Sequence, residues 1–141
     1  MTVVVVDASV AVKWFLRFSP VEEDVATALA IFDRVARGEL QLVQPPHFVA
    51  EVSAMLARLK PVDAQADVQD LLMIEHTTLG TPEVYSQALQ LARLHQHHLF
   101  DTLYHAVALQ TSGATLITAD RRYFDKAKPA GRIAWSANWK S

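Results

Sequence analysis

Val3-Val4-Val5-Val6-Asp7, close to the start of the chain, decides the fold. With Thr2 it makes a β-branched run that has no polar face, so it predicts a strand buried on both sides. Such strands belong to parallel sheets covered by helices; antiparallel sheets with one wet face alternate instead. Asp7 ends the run at the strand's carboxyl edge, where open parallel sheets bind their ligands. Asp7-Ala8-Ser9 then predicts the cap of a short helix through Phe15.

Outward from that strand, Pro20-Val21-Glu22-Glu23 predicts a helix that ends near Gly38. Val25, Ala28, Leu29, Phe32, Val35 and Ala36 follow helical spacing within it. Leu40 to Val43 is a strand candidate stopped by Pro45-Pro46. A helix follows to Leu59, where Lys60-Pro61 ends it, and Glu51 borders its stripe of Phe48, Val52, Met55, Leu56 and Leu59. Asp63 to Leu72 predicts helix, and Met73 to Thr78 strand. Thr81-Pro82-Glu83 opens a helix to about His97. Asp101 opens the next, which stops at Gly113. Thr115 to Thr118 predicts a strand, Asp120 to Lys128 a helical turn or two, and Arg132 to Trp135 a last strand. Strands alternate with helices throughout, which predicts an α/β sandwich on a parallel sheet, with residues 1–141 as one domain.

The composition agrees with that size of domain. The 141 residues are 51% hydrophobic and 20% charged, enough for a packed core and against bulk disorder. Lys13 and Arg17 interrupt the only early apolar stretch, so neither a membrane span nor a cleavable signal is expected. Without cysteine there is no disulfide framework and no thiolate metal site. The expectation is a soluble cytoplasmic protein. Net charge is −2, but residues 101–141 carry six Lys/Arg against three Asp/Glu. Arg121, Arg122, Lys126, Lys128 and Arg132 form most of that basic end, directly after Asp120, where a phosphate-bearing substrate would find it. A solvated helix face is the ordinary alternative for each of them.

Four acids carry the functional signal. Asp7 and Asp120 each follow an apolar strand run, so if those strands are neighbours both carboxylates meet at one edge. Asp101 precedes Asp120 by a helix and a turn and returns to the same edge. Glu51 is placed least firmly by this argument. An Asp at a helix start also caps free N–H groups, and Glu51 suits a border between stripe and solvent. Converging carboxylates, however, repel one another unless protons or cations neutralise them, and hard oxygen ligands favour Mg²⁺ or Mn²⁺. A metal-activated water would then attack a phosphodiester without a Ser, Cys or His nucleophile or base. Ser9 and Thr118 stand where their hydroxyls would orient those ligands, or serve as caps.

His95, His97 and His98, with His47, His76 and His105, match no zinc spacing. The cluster suits a helix end, and His105, one turn after Asp101, is a candidate for a minor substrate contact. Trp14, Phe15 and Phe18 are expected to pack in the core or to line a groove for a partner helix. Trp135 and Trp139 have the same two readings.

The stretch Val4-Val5-Val6-Asp7-Ala8-Ser9-Val10-Ala11-Val12-Lys13-Trp14 resembles the opening of PIN-domain proteins of the VapC toxin type. Pro45-Pro46-His47-Phe48-Val49-Ala50-Glu51-Val52 resembles their second acidic motif and Leu99-Phe100-Asp101-Thr102-Leu103-Tyr104-His105-Ala106-Val107-Ala108 their third. Leu116-Ile117-Thr118-Ala119-Asp120-Arg121-Arg122-Tyr123-Phe124 resembles the last. All four stand in register along the chain. The resemblance implies a three-layer α/β/α sandwich with a central, mainly parallel sheet. It implies a Mg²⁺- or Mn²⁺-dependent endoribonuclease with Asp7, Glu51, Asp101 and Asp120 as both the catalytic and the metal-binding acids. It further implies an RNA substrate, a small antitoxin partner of a type II toxin–antitoxin system, and a toxin homodimer. Ala54 departs from the pattern, because an Asn often stands three residues after the helical Glu. Asp125 is an extra acid that reads as a solvated helix residue.

Two other functions compete. A PIN-like module that binds RNA or protein without cutting would have little reason to keep four mutually repelling acids. A phosphatase forming an aspartyl-phosphate on Asp7 would typically offer a second Asp two residues on, where this chain has Ser9.

Overall fold

The computed structural model describes residues 2–16 and 24–140. The expected helix start at Pro20–Glu23, and Phe18, lie outside them. Strand β1 (Thr2–Val6) is followed by α1 (Ala8–Ala11), which tightens into a 3₁₀ turn over Val12–Phe15. Helix α2 (Val25–Ala36) leads to β2 (Leu40–Gln44), then α3 (Phe48–Leu59) and α4 (Ala64–Met73) to β3 (Thr77–Thr78). Helices α5 (Pro82–His95) and α6 (Leu99–Gln110) precede β4 (Ala114–Thr118), and α7 (Arg121–Ala127) precedes β5 (Ile133–Trp135).

The sheet order is β3-β2-β1-β4-β5, and every pairing is parallel. Val4, Val5 and Val6 are fully buried, as an apolar run predicts for a central strand. From β1 the chain moves outward first to β2 and β3, then crosses back to β4 and β5. Right-handed crossovers therefore put α2 to α4 on one face and α5 to α7 on the other, a three-layer α/β/α sandwich. On the second face α6 lies against the sheet, buried continuously from Thr102 to Ala108, with α5 packed behind it.

Two sequence expectations need correction. Met73 ends α4 instead of opening a strand, and only Thr77 and Thr78 pair with Val43 and Gln44. Asp101 sits in the first turn of α6, whose N-cap is His98.

The ladder between β1 and β2 stops at Val4 opposite Leu42. Two residues further on, the fully buried Gln44 replaces it with its side chain. Val6 N–H donates to Gln44 Oε1 at 2.9 Å, and Gln44 Nε2 donates to the Val6 carbonyl at 2.7 Å. One amide thus satisfies both backbone groups of the residue before Asp7. Gln44→Leu leaves that buried N–H and C=O unpaired, and urea unfolding is expected to show a loss of about 2–4 kcal/mol.

Candidate active site

Asp7 directly follows β1, the middle strand, on the side of β4. Its backbone N–H donates to the Ile117 carbonyl of β4 at 3.3 Å, and its carboxylate caps α1 by accepting from the Val10 N–H at 3.3 Å. Two hydroxyls also donate to it, Ser9 Oγ to one oxygen and Thr118 Oγ1 to the other. Neither hydroxyl is free to turn away. Ser9 Oγ accepts from the Ala119 N–H and Thr118 Oγ1 from the Asp120 N–H, each at 3.0 Å, which leaves both hydroxyl hydrogens for Asp7. Burial nevertheless pushes the Asp7 pKa up to about 7, and the Asp101 charge adds to the rise; the Ser9, Thr118 and Val10 bonds only partly oppose it.

The other three acids come to the same edge. Asp120 follows β4 and caps α7, accepting from the Tyr123 N–H at 3.1 Å. Asp101 caps nothing; its Oδ2 accepts from His97 Nε2 at 2.7 Å. Burial raises the Asp101 pKa, the His97 bond opposes this, and the Glu51 and Asp120 charges reinforce it. Glu51, in the first turn of α3, accepts from the Tyr104 hydroxyl at 3.2 Å. Burial drives the Tyr104 pKa far upward, with Glu51, Asp7 and Asp101 as further causes. A buried tyrosine that responds to three of the four acids lies among them.

The basic residues divide. Arg121 lies over the Trp135 ring, 4.3 Å from its centroid, and pairs with Asp125 at 3.9 Å. Arg122 is exposed and, with His97, His98 and Lys126, lines a hollow between the end of α5 and α7. Lys126 Nζ lies 3.3 Å from His97 Nδ1, so it reaches the carboxylates through an imidazole. Asp125 is exposed, as expected, and so is Ala54.

His105 is no substrate contact. It is fully buried, with Nε2 against the Gly131 carbonyl at 2.7 Å and Nδ1 against the Tyr123 hydroxyl at 2.9 Å. A carbonyl only accepts, so Nε2 carries the proton, and burial lowers the pKa of this ring. Trp14 is core, donating through Nε1 to the Ala28 carbonyl at 3.0 Å. Phe15 and Trp14, with Leu29, Phe32, Ile74 and Asp70, line a small, mostly apolar hollow. Trp139 lies beneath Arg34.

Sequence reasoning missed His97. One of its nitrogens and oxygens of Asp101 and Asp120 lie within 4.8 Å of one another, close enough by distance alone to share a cation. His97 and Asp101 are four residues apart, a helical spacing, but α5 ends at His95 and Gln96 turns left-handed (φ 48°) between the helices. The spacing was visible in the sequence; the turn that aims the ring was not. As a donor set, four carboxylates in one partly buried cleft fit a hard divalent cation; burial is the main cause of the raised Asp7 and Asp101 pKa values, and the neighbouring carboxylate charges, which such an ion would neutralise, add to it.

A family model for the PIN domain matches residues 4–129. The chain belongs to the PIN-domain family. Among solved structures, the PIN fold of this chain matches VapC20 of Mycobacterium tuberculosis, described as a toxin that cleaves the sarcin–ricin loop. That match has 16% identity and a TM-score of 0.65, over 92% of this chain and 96% of the other. PAE2754 of Pyrobaculum aerophilum matches at 25% identity and a TM-score of 0.59, over 90% of this chain and 87% of the other. No curated protein sequence matches this PIN domain. No helix among its described residues is long and apolar enough to cross a membrane.

Proposed function

We propose that residues 1–141 form a single PIN domain acting as a Mg²⁺- or Mn²⁺-dependent endoribonuclease, the toxin of a type II toxin–antitoxin pair. The observation that carries this reading is the meeting of Asp7, Asp101, Asp120 and Glu51 at the reversal of strand order between β1 and β4. Ligands of open parallel sheets bind at such reversals. Membership of the PIN family and the shared fold with a toxin that cleaves the sarcin–ricin loop support the choice of RNA.

Asp7 and Asp101 are the foremost candidates for direct metal ligands, with Asp120 and Glu51 completing the set. When bound, the ion supplies positive charge at the scissile phosphate and an acidified water. Ser9 and Thr118 hold the Asp7 carboxylate by both oxygens, so its orientation is set before any ligand arrives. Tyr104 does the same for one oxygen of Glu51. Arg121 and Arg122 on α7 offer cations to the RNA backbone. Phe100, 61% exposed beside Asp101, offers a face on which a base can stack. A small antitoxin covering the cleft, a homodimer and a cytoplasmic location complete the proposal.

The test is total cellular RNA incubated with the partner-free protein and Mn²⁺ or Mg²⁺, with new 5′ ends mapped. Discrete cuts that disappear with chelator are the expected result. Intact RNA, from a protein that binds neither ion, would replace the nuclease with a binding module.

A further inference from the structure

His97 faces two different neighbours. Its Nε2 lies 2.7 Å from Asp101 Oδ2 and 4.0 Å from Asp120 Oδ2, and its Nδ1 lies 3.3 Å from Lys126 Nζ. An ammonium has only hydrogens to give, so it selects the imidazole form whose Nδ1 carries a lone pair and whose Nε2 carries the proton. That proton points at Asp101. The side chain is 7% exposed, and the ring packs against Tyr123 with centroids 4.8 Å apart, so it is held in place. Lys126 also lies 3.4 Å from the Gln96 carbonyl, which anchors the ammonium over the ring.

The same geometry argues against the other use of this nitrogen. A histidine that ligates a metal gives its second N–H to a carboxylate, a carbonyl or water. Here the second nitrogen meets a donor, which leaves Nε2 protonated and closed to a cation. We propose that His97 is a positioning residue for Asp101, kept as the Nε2–H form by Lys126, so that a Lys126–His97–Asp101 chain fixes which carboxylate oxygen faces the metal. Lys126 accordingly acts through His97, in place of the direct hold on the RNA backbone that its sequence position suggested. This rests on the nuclease reading for its consequence in catalysis, but not for its geometry.

Long-range ¹H–¹⁵N correlation of the histidine rings in the wild-type protein is the first measurement, because it needs no activity. The expected result is a proton on Nε2 of His97; a proton on Nδ1 overturns the proposal. Mn²⁺ affinity by calorimetry follows. His97→Leu is expected to weaken binding by about 10–100-fold, as for other residues that orient a metal ligand, and His97→Gln, which keeps an N–H donor, to restore most of it. Equal affinities in all three proteins overturn the proposal. In RNA cleavage, Lys126→Met lowers kcat with KM unchanged if the chain operates. A raised KM with unaltered kcat would instead make Lys126 a backbone contact and sink its part. A wild type that cuts no RNA removes the nuclease reading alone, since tautomer and affinity still decide the role of His97.

Discussion

Asp7→Asn is expected to lower RNA cleavage by about a thousandfold while making the metal-free protein more stable at neutral pH. On the proposed function, the loss follows from removing one of the carboxylates assigned to the charge-stabilising ion, which is worth several kcal/mol in the transition state. The gain follows from burial. Asp7 is 7% exposed, and its pKa is pushed up from 3.8 to about 7, so the folded protein holds that proton more tightly than the unfolded chain. The stability linked to this proton is fully present below about pH 4, the unfolded value. It drains away as pH rises and is gone above about pH 7. At neutral pH the charged carboxylate therefore costs on the order of a few kcal/mol. Asn carries no charge, so its advantage is nil near pH 4 and grows up to pH 7. The Ser9 and Thr118 hydroxyls must re-pair with an amide, which trims the gain to about 1–3 kcal/mol. Urea unfolding with chelator at several pH values measures it; a variant less stable than wild type at pH 7 would contradict this account of the site.

Divalent metal is expected to offset that advantage. At an ion concentration 100 times Kd, binding raises the stability of the wild type by about 2.7 kcal/mol. The rise is largest at pH 7 and fades toward pH 5, because the proton on Asp7 competes with the ion. Asp101→Asn and Asp7→Asn both lose most of it. Thermal unfolding with Mn²⁺ and with chelator, at pH 5 and 7, is the measurement. Equal melting temperatures at both pH values, with and without ion, would mean that these acids hold no cation.

The sequence revealed the site's position better than its internal wiring. Two apolar runs ending in Asp7 and Asp120 predicted central strands with acids at their carboxyl ends, and β1 and β4 do pair over Val3–Val6. Hydrophobic periodicity carries that information, because burial on both faces leaves no other residue pattern. Strand β3 was expected but begun too early, because two residues set no period and a run from Met73 reads as readily as strand when its first residue finishes a helix. Asp101 looked like a helix opener because Asp favours that place, but His98 takes the cap with extended backbone. Gln44 and His97 act through side chains that cross between elements. A linear pattern holds no trace of such contacts, and only the assembled sheet edge reveals them.

The bond from Thr118 to Asp7 spans 111 residues, the first strand reaching almost to the last. On a ribosome adding about 5–20 residues per second, that distance is roughly 6–20 s of synthesis. Through all of it β1 has no β4 to lie against, and Asp7 has neither its hydroxyl from Thr118 nor its neighbour Asp120. A chain whose translation halts early, or whose C-terminal quarter is clipped away, keeps the opening motif and yet never builds the cleft. If the proposed nuclease activity holds, the order of the strands is a timer: the newborn polypeptide leaves the RNA around it uncut until Thr118 and Asp120 have been made.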